Sequence, residues 1–108
     1  MQAERLKILT QLVVEEPNDP FHRYALAMEH VRKDTEEALR HLDILLVEHP
    51  DYLPTYYQAA TLYAEQEDIA KATNIFEKGI ALAQQYRELK TLKELESVYA
   101  IYRDEWEL

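Results

Sequence analysis

The chain has 108 residues, enough for one domain, and 47% of them are apolar, enough to fill a core. Its formal charge of −9, from 21 acidic against 12 basic side chains, excludes general binding to phosphate backbones, since no basic run offsets it. The lack of cysteine excludes disulfides, thiolate catalysis and Cys-type zinc sites together.

Ala, Leu, Glu, Lys and Gln dominate, strand formers are sparse and Gly79 is the single glycine, so the chain reads as all-α. The spacing predicts helices over 2–16, 20–32, 35–49, 52–66, 69–86 and 89–105. In the first, Leu6, Leu9, Leu12 and Val13 form one stripe. Pro17 interrupts it, and the second helix starts with Asp19 as N-cap and Pro20 at the first helical position. Asp34 and Glu37 form a capping-box pattern before the third, whose stripe is Leu39, Leu42, Leu45 and Leu46. After Pro50, Asp51 is expected to cap the fourth helix, with Pro54 tolerated in its first turn. Asp68 opens the fifth, and the sixth carries Leu92, Leu95, Val98, Tyr99 and Tyr102. Connections this short set neighbouring helices antiparallel. The start of the chain has charges every few residues and no apolar leader, and no run is long enough to span a bilayer. A cytoplasmic protein is the expectation.

Internal periodicity is the strongest signal. Pro17 and Pro50 lie 33 residues apart, and each ends a similar run, Leu12–Pro17 and Leu45–Pro50. An Asp-started helix with early aromatics follows each proline, Phe21 and Tyr24 in one copy, Tyr52, Tyr56 and Tyr57 in the other. Small or apolar pairs come next, Leu26-Ala27 and Ala59-Ala60, and one further turn brings His30 and Tyr63. This pattern resembles the tetratricopeptide repeat, W-x2-L-G-x2-Y followed by A-x3-F-x2-A and P. In the second copy Tyr56 stands at the Trp place, Ala59 and Ala60 at Leu-Gly, Tyr63 at Tyr, and Ala72, Phe76 and Gly79 at the second-helix places. The first copy matches at Leu26, Ala27, Ala38, Leu42, Leu45 and Pro50, and departs at Arg23 and His30. Its turn is one residue short, and the second copy has Gln84 where proline is expected. The resemblance implies a right-handed α-α superhelix in one domain over 1–108: a leading helix 1–17, repeats 18–50 and 51–84, and a capping helix 85–108.

It also implies a function. First helices of such repeats line a concave groove, so the second, fourth and sixth helices would face a peptide or partner protein. Carried over by position, the groove residues are Phe21, Tyr24, Met28, Val31 and Arg32, then Tyr57, Thr61, Ala64 and Glu65, then Lys90, Lys93, Ser97, Ala100 and Ile101. The family's carboxylate clamp of Lys, Asn and Arg is not expected, because Tyr24 and Met28 occupy its Lys and Asn places. An adaptor with an aromatic and thioether wall is the leading reading. The alternative is a self-associating module, a homodimer, with Ile101, Tyr102 and Trp106 as the oligomer patch unless they fold back on Phe76 and Ile80. Two full repeats are fewer than an array usually needs, which favours contributions from flanking helices or a second chain.

Catalysis has little to draw on. Ser97 is the only serine and lies in no nucleophile elbow, and one glycine cannot build a phosphate loop. Glu15-Glu16 and Glu36-Glu37 read as helix-end charge rather than catalytic pairs. Among His22, His30, His41 and His49, His30 is expected in the Tyr slot of the repeat and the others in solvent, with no metal-ligand spacing. No enzyme, metal, cofactor, nucleic-acid or membrane partner is expected.

Overall fold

The computed structural model describes residues 2–108 and contains six helices: α1 (Gln2–Glu15), α2 (Pro20–His30), α3 (Thr35–Glu48), α4 (Pro54–Glu65), α5 (Ile69–Tyr86) and α6 (Leu89–Glu105). Among the described residues there is no strand. No helix is long and apolar enough to cross a membrane. Aspartates start three of the helices. The Asp19 carboxylate accepts from the Phe21 N–H at 3.0 Å, Asp34 from Glu37 at 3.1 Å and Asp68 from Lys71 at 3.2 Å, each satisfying a donor that the first turn leaves open. Only half of the expected capping box forms. The Glu37 carboxylate binds Arg40 at 2.6 Å, and the Asp34 N–H donates to the His30 carbonyl instead.

Asp51 is not the cap of α4. That helix begins at Pro54, and Asp51 lies in the preceding turn, where the Tyr52 N–H donates to the His49 carbonyl at 3.0 Å. Proline explains the shift: it fixes its own φ at a helical value but disfavours helical backbone at the residue before it, so helix cannot run back through Leu53.

Helix ends are closed without glycine. Glu67 (φ 62°) and Arg87 (φ 56°) take the left-handed conformation after α4 and α5. The Asp68 N–H then reaches the Tyr63 carbonyl and the Glu88 N–H the Ala83 carbonyl, both at 3.0 Å. These are the long bonds of Schellman motifs, and they satisfy terminal carbonyls within links of three and two residues.

The chain divides into two compact units, one ending at Thr55 and the other running Tyr56–Leu108. In the first, α2 packs against both α1 and α3. Ala27 and Ala38 have no exposed surface, and Leu42 and Leu45 are equally covered. In the second, α5 packs on α6, with fully buried Phe76 stacked on Tyr99 at 5.0 Å between ring centres. α4 and α5 meet where a Cβ on Gly79 would lie 2.7 Å from Tyr56 Cβ. The positions picked out as small, Ala27, Ala38, Ala60, Ala72 and Gly79, are all buried, as close helix contact requires.

Candidate docking surface

Adjacent tyrosines divide the labour on α4. A helix turns about 100° per residue, so Tyr56 is buried beneath Gly79 while Tyr57 is only half-buried and borders an open hollow. The other walls are Lys90, Lys93, Glu94, Ser97 and Val98 of α6, residues at helical spacing on one face, and the volume is about 410 Å³. Tyr57, Lys90, Lys93 and Ser97 are residues expected from the repeat register. Glu94 and Val98 were not, although they lie one turn along from Lys90 and Lys93–Glu94 on that face. Thr61 follows Tyr57 on α4, but its hydroxyl donates to the Tyr57 carbonyl at 2.8 Å and so is already used.

Glu65 and Ala64 border a second hollow in the same unit, about 600 Å³, completed by Glu67, Ile69, Tyr102, Glu105 and Trp106. Tyr102 stacks on Trp106 with ring centres 5.5 Å apart and tilts against Phe76 at 6.2 Å. Two of the three patch residues thus fold back on the core of the unit. Ile101 remains outward, 60% exposed, and Ala100 beside it is exposed too.

In the first unit the groove positions are less alike. Phe21 is 57% exposed and Arg32 is exposed, whereas Met28 and Val31 are half-buried. The Tyr24 ring meets Tyr52 edge-on at 5.7 Å, so it is held by packing within the unit.

The histidines differ from expectation. His41 is buried, not solvated, and its ring stacks on His30 at 5.9 Å. The Arg23 guanidinium donates to His41 Nδ1 at 3.0 Å, and Glu37 Oε1 lies 3.2 Å from Nε2. The Arg40 guanidinium also approaches Nε2, at 3.4 Å, so both ring nitrogens lie beside an arginine. Burial, then the charges of Arg40 and Arg23, lower the His41 pKa to about 4, and the hydrogen bond from Arg40 lowers Glu37 to about 2. His30, Glu37 and His41 bring three donor atoms within 4.8 Å of one another. Sequence reading missed this cluster; the signal it passed over is the i, i+4 spacing of Glu37 and His41. Two guanidinium groups, of Arg23 and Arg40, already sit on the His41 ring nitrogens and would repel a cation there, so the cluster reads as a polar plug in the α2–α3 contact. Glu16, Asp19 and His22 form a second, more exposed group, in which His22 Nε2 sits 2.6 Å from Glu16.

Helix pairs with small residues at their contacts, closed by tight turns and presenting side chains along first-helix faces, define the class of α-helical repeat proteins. A solved solution structure of a tetratricopeptide repeat domain protein from Salinibacter ruber is similar to this chain, with 34% identity and a TM-score of 0.76 over 82% of this chain and 91% of that one. A crystal structure of a tetratricopeptide repeat domain protein from the same organism is also similar, with 34% identity and a TM-score of 0.75 over 80% of this chain and 97% of that one. The chain belongs to the tetratricopeptide repeat family. No protein-family model matches it, and no curated protein does.

Proposed function

We propose that the chain is a non-catalytic adaptor, a single domain with repeats over 18–50 and 51–84 between a leading and a capping helix, and that it binds an extended peptide. The observation that carries this reading is the hollow between α4 and α6, where Tyr57 and Val98 offer apolar surface and Lys90 and Lys93 offer charge. An apolar anchor flanked by a carboxylate fits it, because a half-desolvated ring contributes most of the contact energy and the two ammonium groups orient the anchor. The absence of cysteine accords with a reducing compartment such as the cytoplasm.

Ser97→Arg tests the reading. Ser97 is exposed, so the substitution fills the hollow without touching the core. Partners captured by the wild-type chain should be lost by Ser97→Arg and kept by Glu36→Arg, an exposed change on α3. Equal capture by both variants would overturn the assignment.

A further inference from the structure

The second hollow of the Tyr56–Leu108 unit has chemistry opposite to the first. We infer that it takes a cationic side chain, Lys or Arg, of the same bound peptide; this rests on the docking reading above. Carboxylates by themselves would be ordinary solvated charge, but here they surround a stacked aromatic pair. Glu65, Glu67 and Glu105 border the hollow together with the rings of Tyr102 and Trp106. Ring faces attract a cation through their quadrupole, more strongly where water is partly displaced. The chain already uses this contact twice internally: the Lys71 ammonium sits 5.1 Å from the Tyr63 ring centre and the Arg103 guanidinium 5.4 Å from Tyr99. Among the described residues no Lys or Arg lies over Tyr102 or Trp106, and none of Glu65, Glu67 and Glu105 has an ion-pair partner. The C-terminal ends of α4 and α6 fall at Glu65 and Glu105, adding the negative end of each helix dipole. Burial, followed by Glu65, Glu105 and Tyr57, raises the Tyr102 phenol pKa, in keeping with a negative potential at the ring.

The two hollows are separated by about eight residues of α4 and ten of α6, roughly 12–15 Å at the helical rise. An extended peptide covers that in about four residues. The fitting segment therefore carries an apolar residue beside a carboxylate, then a cation four positions away.

Trp106 is the single tryptophan, so its indole N–H gives one assigned peak in a nitrogen–proton correlation spectrum. The probe is the capped peptide Glu-Phe-Ala-Ala-Ala-Arg-Ala, made also in reversed order, each with a version in which citrulline replaces Arg. Citrulline keeps the shape and removes the charge. The Arg peptide should move the indole peak and the Ser97 amide together, in at least one order. Citrulline, or the double variant Glu65→Gln/Glu105→Gln, should weaken binding by about tenfold, the size of one good cation contact. Movement of Ser97 with a silent indole, or equal binding of Arg and citrulline peptides, would overturn the cation hollow and leave the docking reading standing. Silence at both positions would defeat both. An indole peak that moves on dilution without peptide would assign the hollow to a second copy of the chain and overturn the inference as well.

Discussion

Gly79→Ala sets two principles against each other, and the structure decides between them. In a helix interior alanine is better than glycine by about 1 kcal/mol, so propensity alone expects a more stable protein. The added methyl, however, would lie 2.7 Å from Tyr56 Cβ, 3.2 Å from Tyr56 Cγ and 3.4 Å from Leu95 Cδ1. A Cβ atom cannot rotate away, since it moves only with the α4 backbone. Restoring an ordinary carbon–carbon contact of about 3.5–4.0 Å requires α4 and α5 to part by roughly 1 Å. Overpacking of this kind costs about 3 kcal/mol at its upper end, leaving a net loss of about 2 kcal/mol. For a chain of this length that lowers Tm by roughly 9 °C. Urea unfolding followed by circular dichroism at the helix band measures it, with Ala81→Gly, exposed on the same helix, as a control expected to lose about 1 kcal/mol. A Gly79→Ala protein as stable as wild type would refute the close α4–α5 approach.

Other changes test the rest of the packing. Arg87→Gly relieves a left-handed backbone (φ 56°) at an exposed position and should raise stability by about 0.5–1 kcal/mol, read as a higher Tm. Thr55 is fully buried and its hydroxyl has no hydrogen-bond partner among the described residues, so Thr55→Val should add about 1 kcal/mol in urea unfolding. Acid should weaken the fold in two stages. The unfolded chain binds a proton at His41 below its ordinary pKa of 6.5 while the folded chain resists until about 4, so about 3 kcal/mol of stability is lost as pH falls through that window. Glu37 adds a loss between 4.5 and about 2, and His41→Gln should flatten the stability–pH curve between 6.5 and 4.

Local chemistry made the helices legible, and tertiary geometry hid the rest. Asp19, Asp34 and Asp68 could be read as caps because the N-terminal donors of a helix lie within three residues of the acceptor. Asp51 misled because a cap residue and a following proline compete to set the start of α4, and the proline controls the backbone of its neighbour. Gly79 and the alanines showed in the repeat because close helix approach leaves room for nothing larger. The burial of His41 did not show, since it depends on Arg23 and His30 arriving from α2, and a histidine in sequence carries no mark of which partners it will meet. That Tyr57, Lys90 and Lys93 share a face followed from register alone, and they line one hollow. The Glu65–Glu105–Trp106 hollow did not, because its parts come from the ends of α4 and α6 and from the turn that Glu67 makes possible.

The same geometry separates the residues that carry the fold from those that can vary without disturbing it. Tyr56 is committed to Gly79, and Phe76 and Leu95 are buried outright, so substitutions there act on stability first. Tyr57, one residue along, faces the hollow, and Lys90, Lys93 and Ser97 are exposed, so substitutions there change surface chemistry at small cost to stability, within about 0.5 kcal/mol for the exposed positions. Core packing and the accessible side chains therefore lie on different faces of α4 and α6. On the docking reading proposed above, Lys90 and Lys93 at one hollow and Glu65, Glu67 and Glu105 at the other, glutamates with no ion-pair partner among the described residues, would orient a bound peptide, since reversing it would bring like charges together at both ends.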